Sequence, residues 1–406
     1  MRISTSSLYN ANVNLLNQQQ AQMLHTQQQI ATQRRILTPS DDPIAAARAL
    51  EISQSDASNS QYAINRNAVQ HSASLSESIL QSVTSLLQDV KTTAVNAGNG
   101  SVNYSDKQTF ATELSARFDE LLALANSTDG VGNYLFSGFQ GRTQPFVNGN
   151  AGVQYLADDG QRLIQVSSSR QLAASDSGAD IFMRVKNGNG TFNVQAAAAN
   201  TGSGIVSQGT IANPTLLTGH NYQVAFSVVA GVTTYSVTDT TLGAPVPPGT
   251  PIPYVSGQAI SFDGVQFDVT GAPADGDVFT VAPSSNESIF QTIADLITAL
   301  RTPNALGGAV AAAAFSNSLN KALNNLDRGL DSVLTVRASL GTRLNELESL
   351  RSSGDSMGEQ YKTMLSQLQD VDFNQAISDL TRQKTSLEAA QKSFMSVSEL
   401  SLFNYM

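Results

Sequence analysis

Apolar residues recur at helical spacing in the first and last thirds of the chain and at strand spacing between them. Val13, Leu16, Gln20, Met23, Gln27, Ile30, Arg34 and Leu37 fall at alternating steps of three and four, the seam spacing of a coiled coil. Gln20, Gln27 and Arg34 dilute that seam. A helix so diluted draws little stability from itself and orders against a partner. Pro39 predicts its end, and Ser40-Asp41-Asp42-Pro43 a fresh start with Asp42 as N-cap and Pro43 in the first turn. Leu75, Ile79, Val83, Leu86 and Val90 carry the next helix until residues 97–106 interrupt it. A shorter amphipathic helix follows on Phe110, Leu114, Phe118, Leu121, Leu122 and Ala125, an antiparallel pair with its predecessor.

After residue 130 the period changes to two. Val153 and Tyr155, the turn-like Asp158-Asp159-Gly160, and residues 163–166 predict a β-hairpin. Residues 187–210, rich in Gly, Asn and Ala, predict a linker. Short strands are expected at 222–229, 234–238, 260–262, 265–269 and 278–281, with turns such as Pro247-Pro248-Gly249 between them. The helical period returns at Ile289, Ile293, Leu296 and Leu300. It then holds the four-three alternation from Leu319 through Leu326, Val333, Arg337 and Leu347 to Arg351, a rod roughly 50 Å long. That register continues through Tyr361, Leu365 and Leu368 across two glycines, and over residues 319–351 it fits an intramolecular bundle. A last helix carries Ala376, Leu380, Gln383, Leu387, Ala390, Phe394 and Val397 at seam spacing.

The expected fold is therefore a multidomain α+β one: an elongated helical bundle made from both chain ends, with a small β-rich domain inserted. Residues 1–40 with 370–406 are expected to form a terminal coiled-coil domain, disordered in the monomer. Residues 41–186 with 286–369 form a helical rod carrying the hairpin near 153–166, and 187–285 the linker and β-domain. The assembly interface is expected on the terminal seams, at Val13, Leu16, Met23, Ile30, Leu37, Leu380, Leu387, Phe394 and Val397. Pairing the two seams would bury both.

Composition narrows the function. The net charge of -10 opposes sequence-independent binding to nucleic acid or anionic lipid. Cysteine is absent, which removes disulfides, thiolate nucleophiles and cysteine-held metals. No apolar run approaches the roughly 18 residues of a membrane span, and residues 1–9 lack the apolar core of a signal peptide. His25, His71 and His220 stand far apart without ligand or triad spacing. Asp158-Asp159-Gly160 and Asp275-Gly276-Asp277 lack the twelve-residue spacing of an EF-hand and suit tight turns. No enzyme and no cofactor are implied.

Four segments then carry a resemblance: MRISTSSLY (1–9), ILTPSDDPIAAARAL (36–50), NYLFSGFQGRTQPF (133–146) and VDFNQAISDLTRQKTSLEAAQKSFMSVSELSLFNYM (371–406). In this order, at both ends, the chain resembles the flagellin-like family. The ending Ser401-Leu402-Phe403-Asn404-Tyr405, with Tyr134-Leu135-Phe136-Ser137-Gly138, is closer to its hook-associated proteins of the hook-filament junction than to flagellin. The resemblance implies a structural subunit of the bacterial flagellum, secreted and extracellular, assembling with copies of itself in a ring through paired terminal helices. It implies a neighbouring hook-associated junction protein and flagellin as partners. It also implies type III export without signal cleavage and a cytoplasmic export chaperone on the C-terminal region. The alternatives are a flagellin, or a surface- or carbohydrate-binding module on a helical stalk.

Overall fold

The computed structural model describes residues 5–246, 249–303 and 308–403. The turn expected at Pro247-Pro248 and the motif ends at 1–4 and 404–406 lie outside these residues. Two compact units result, one from residues 1–65 with 349–406 and one from residues 66–348.

The first helix, α1 (Thr5–Thr32), stops short of the expected Leu37. Gln33 turns the chain at a φ of 60°, and its carbonyl accepts Val371 N–H at 3.1 Å while Arg35 N–H donates to Gln369 at 2.6 Å. Pairing with this distant segment outcompetes a further helical turn, so Pro39 is not what ends the helix. α2 (Pro43–Ala97) begins as expected, with the Asp42 carboxylate accepting Ala45 N–H at 3.0 Å and Pro43 leading. α3 (Tyr104–Ala125) is capped by Asn103, which accepts Asp106 N–H at 2.9 Å.

Where one hairpin was expected across Asp158-Asp159-Gly160, the chain makes two. β1 (Phe146–Gly149) pairs with β2 (Gly152–Tyr155), and β3 (Leu163–Ser167) with β4 (Arg170–Ala173). The reason is burial of Phe146, whose ring lies 5.2 Å from Tyr155 in the facing strand. The Asp158 carboxylate is meanwhile used on the N–H groups of Phe139 and Gly160, each at 2.8 Å. Gly138 passes beneath at a φ of 64°, where a Cβ would meet the Asp158 carbonyl at 2.3 Å. Only glycine fits that approach.

A π-helical turn, Ala179–Met183, leads into β5 (Val185–Lys186). The expected linker is instead β6 (Phe192–Ala196), β7 (Ile205–Val206) and β8 (Thr210–Ile211). Its few apolar residues, Phe192, Val194 and Val206, are buried in the β-domain core, so composition misled here. β9 (Tyr222–Val229) and β10 (Val232–Asp239) form a long hairpin, with β11 (Ala244–Pro245) and β12 (Ile252–Pro253) both on β10. β13 (Ala259–Phe262) and β14 (Val265–Thr270) form another, beside β7 and β8. β15 (Val278–Pro283) runs between β9 and β6, and β16 (Asn286–Glu287) closes on β5. Phe226, Phe279, Val224 and Val269 fill the core between these sheets.

α4 (Ile289–Arg301) starts at Ser288, which accepts Gln291 N–H at 2.9 Å. α5 (Gly308–Gln369) and α6 (Phe373–Phe403) complete the chain. In the second unit α2, α3, α4 and α5 share one core with a cluster of aromatic rings, in which Phe290 lies 5.5 Å from Phe146 and 5.9 Å from Phe118. Along α5 every second seam residue, seven positions apart, is buried, from Leu319 through Leu326, Val333 and Leu340 to Leu347. The intervening Leu323, Leu330 and Leu344 pack half-buried against them. Arg337, the polar seam position, donates to Glu77 at 2.8 Å, which explains a charge at that register.

Candidate assembly interface

In the first unit α1 packs along α6. Leu387 is buried and Leu380 and Phe394 half-buried on α6, while Val13, Leu16, Met23 and Ile30 are half-buried on α1. Tyr9 meets Phe394 with ring centroids 5.2 Å apart. Leu37 is half-buried but stands beyond α1, in the loop before α2. Val397 belongs to α6, and its side chain lies outside the described residues.

This core is thin. Among the described residues of the first unit, the buried hydrophobic side chains are Ala45, Ala49, Ala376 and Leu387. Gln19, rather than the expected Gln20, turns inward, and the side-chain oxygens of Gln19 and Gln383 are buried without a partner. Each such oxygen loses water and gains nothing in return, a cost of about 1–3 kcal/mol. The helices also expose apolar side chains: Leu15 and Leu24 on α1 and Ile377 and Met395 on α6 lie off the seam, while Tyr9 and Phe373 extend its spacing by one step, and all are 44–57% accessible. The doublets Leu15-Leu16 and Met23-Leu24 are the readable signal that apolar side chains flank the seam on both sides of α1, since one stripe of a helix cannot hold both members of a doublet.

The joint between α1 and α2 is held by charge. Asp41 accepts N–H groups of Leu37 and Thr38, both at 2.8 Å, and lies 3.3 Å from His25. The Thr38 N–H, with smaller help from Leu37, the Thr38 hydroxyl and His25, lowers its pKa to about 2 against partial desolvation. Asp42 is lowered by the Ala45 N–H and by Arg35, 3.3 Å away. These carboxylates act as caps and turn ties.

The other acidic turns behave likewise. Asp277 accepts N–H groups of Thr201 at 2.8 Å and Ala274 at 2.8 Å, and Asp275 accepts Val228 N–H at 2.9 Å. His220 meets Asp239 at 2.6 Å inside the β-domain, while His71 lies on α2 far along the chain from both other histidines. Among the described residues no cluster of three His, Cys, Asp or Glu side chains could hold a metal ion, and no helix is long and apolar enough to cross a membrane.

Comparison with known proteins matches these parts one by one. Residues 3–141 match the family model of the bacterial flagellin N-terminal helical region, and residues 195–283 match the D2-like domain of flagellar hook-associated protein 1. Over 403 residues, 99% of both chains, the sequence is 30% identical to flagellar hook-associated protein 3 of Salmonella typhimurium. The crystal structure of flagellar hook-associated protein-3 from Legionella pneumophila aligns with a TM-score of 0.75 at 33% identity, over 78% of this chain and 98% of that one. The structure of the flagellar junction protein FlgL from Legionella pneumophila aligns with a TM-score of 0.72 at 32% identity, over 80% and 100%.

Proposed function

The chain belongs to the family of flagellar hook-associated protein 3, and from that premise we propose that it is a structural subunit joining the flagellar hook to the flagellin filament. It assembles with copies of itself in a ring through its terminal helices, between a neighbouring hook-associated protein and flagellin. It is exported unfolded by the type III route, with a cytoplasmic chaperone on its C-terminal region, and acts outside the cell without catalysis.

The observation that carries this reading is the thin core of the first unit together with its exposed apolar side chains. Among the described residues, only Ala376 and Leu387 of the buried apolar side chains lie on α6 and none on α1, which is too little to hold these helices together firmly, given about 25 cal/mol per Å² of apolar surface. Contacts with neighbouring subunits complete the burial at Leu15, Leu24, Phe373 and Ile377. The seam residues Val13, Leu16, Met23, Ile30, Leu380, Leu387 and Phe394 hold the two helices together, and residues 1–40 and 370–406 fray in the free subunit.

Gold-labelled antibody electron microscopy of intact cells tests the assignment. A single cluster where hook meets filament is expected. Label along the whole filament would make the chain a flagellin, and its absence from the flagellum would overturn the junction role.

A further inference from the structure

A cavity of about 320 Å³ lies between the edge strand β6 and the first turns of α5. That size falls at the lower end of ligand pockets. β6 is bonded to β15 alone, at the end of its sheet. Ala197 N–H donates to Val278 at 3.0 Å and Ser284 N–H to Thr191 at 2.9 Å, so the odd-numbered residues of this segment bond toward β15. Antiparallel alternation then turns the N–H and C=O of Val194 and Ala196 away from β15. Phe192, of the same parity, has both its groups taken by Asn189. For Val194 and Ala196 no such partner is found among the described residues.

The side chains around the cavity repeat this pattern. Asn193 is only 7% exposed, lines the cavity and makes no side-chain hydrogen bond among the described residues. Its carboxamide atoms are not shut off from solvent, so they are open to whatever fills the cavity. Gln195 beside it, and Asn320 and Asn324 across on α5, also line the cavity with unused carboxamides. The cleft is braced rather than collapsible. Asn317 accepts Val206 N–H and donates to the Gly204 carbonyl, both at 2.9 Å, and Asn325 accepts Gly188 N–H at 3.1 Å.

Chemistry selects the occupant. Among the described residues Lys321 is the charged residue of the lining, and its ammonium, 3.4 Å from Asp295 and 3.7 Å from Glu287, is already answered by carboxylates outside the lining, so the cleft holds no unpaired cation for an anionic ligand. The apolar wall is made of small side chains, Val310, Ala313 and Ala314, and among the described residues no aromatic ring lines it to stack on a sugar. Free main-chain donors and acceptors on a strand edge, flanked by carboxamides that serve as both, match the amides of another extended chain. We propose that this cleft binds an extended, uncharged peptide with small side chains, which adds to β6 as a further strand. The proposal stands on the cleft alone and holds whether or not the junction assignment does.

Titration of the deuterated, nitrogen-labelled full-length protein with the capped pentapeptide Thr-Ala-Thr-Ala-Thr, and in parallel with maltose, tests it by NMR. Saturable shifts are expected with the peptide at the Val194 and Ala196 amides and the Asn193 carboxamide. Ala196→Pro deletes an outward N–H that the β15 ladder does not use, and Asn320→Ala removes a carboxamide from the opposite wall. Each is expected to weaken binding at least about tenfold. The helix variant keeps the result interpretable if the strand variant misfolds. Shifts with maltose alone would make the cleft a sugar site, and silence with both would make it a solvent channel; either result overturns the proposal.

Discussion

Arg35 donates from its guanidinium to the main-chain carbonyl of Leu368 at 2.8 Å, across 333 residues of sequence. Beside it Arg34 and Asp370 form an isolated antiparallel bridge. The place where α1 gives way to α2 is thereby tied to the place where α5 gives way to α6. Arg35→Ala should release this tie at a cost of about 1 kcal/mol. Hydrogen exchange would show it as lost protection at Val371 and Arg35, with the second unit unchanged.

Acid should loosen the same joint. The pKa of Asp41 is lowered from 3.8 to about 2, so its contribution is fully present above the unfolded value and lost as pH falls through the folded one. Protection factors at Leu37 and Thr38, taken against the intrinsic exchange rate at each pH, are expected to fall as the solution is taken from pH 4 toward pH 2. Asp41→Asn should abolish that pH step, because the amide does not titrate.

Exposed and seam positions should fail differently in assembly. Leu24→Asp with Ile377→Asp changes side chains that are 55% and 53% accessible. The free subunit should keep its circular dichroism while incorporation at the hook end drops at least about tenfold, because an interface would bury two unpaired carboxylates. Leu387→Asp, in the seam, should lower incorporation and helix content together. Normal incorporation of the exposed pair would place the interface elsewhere.

Limited trypsin digestion of the free subunit should cut first near Arg382 and Lys384 and more slowly at Arg34 and Arg35, which are bonded to residues 368–370, leaving a resistant middle fragment. Equal resistance of ends and middle in a proven monomer would contradict the fraying expected of so thin a core.

Phe290 is 1% exposed where rings from α3, β1 and the π-helical turn converge. Phe290→Ala should destabilise the second unit by about 3–5 kcal/mol, read from the urea midpoint, through lost burial and the cavity left among these rings.

Periodicity alone located α5, α6 and the long strands, because a buried face must repeat at the period of its own element. β9 appears with the expected bounds, and the seven-residue spacing from Leu319 to Leu347 is buried along its length. The Asp42 cap was equally legible, since a cap needs only its own helix. Strand partners were not. Val153 and Tyr155 pair backward with β1 rather than forward across Asp158, a choice made by the ring of Phe146 and the hydrogen bonds of Asp158. The end of α1 likewise escaped local signals, because Gln33 and Arg35 bond to residues more than three hundred positions away.

The candidate interface divides along the same line. Seam spacing identified Leu16, Met23, Leu380 and Leu387 as residues that want cover, which follows from chemistry and helix geometry. Which of them α1 and α6 cover for each other, and that Leu15, Leu24 and Ile377 stay bare, is set by how the two helices pack. The sequence by itself determined where each element lies and which faces are apolar, since both are local properties of the chain. Only the tertiary structure decided which strand edges, carboxamides and apolar stripes remain unpartnered, because burial depends on neighbours brought from far along the chain.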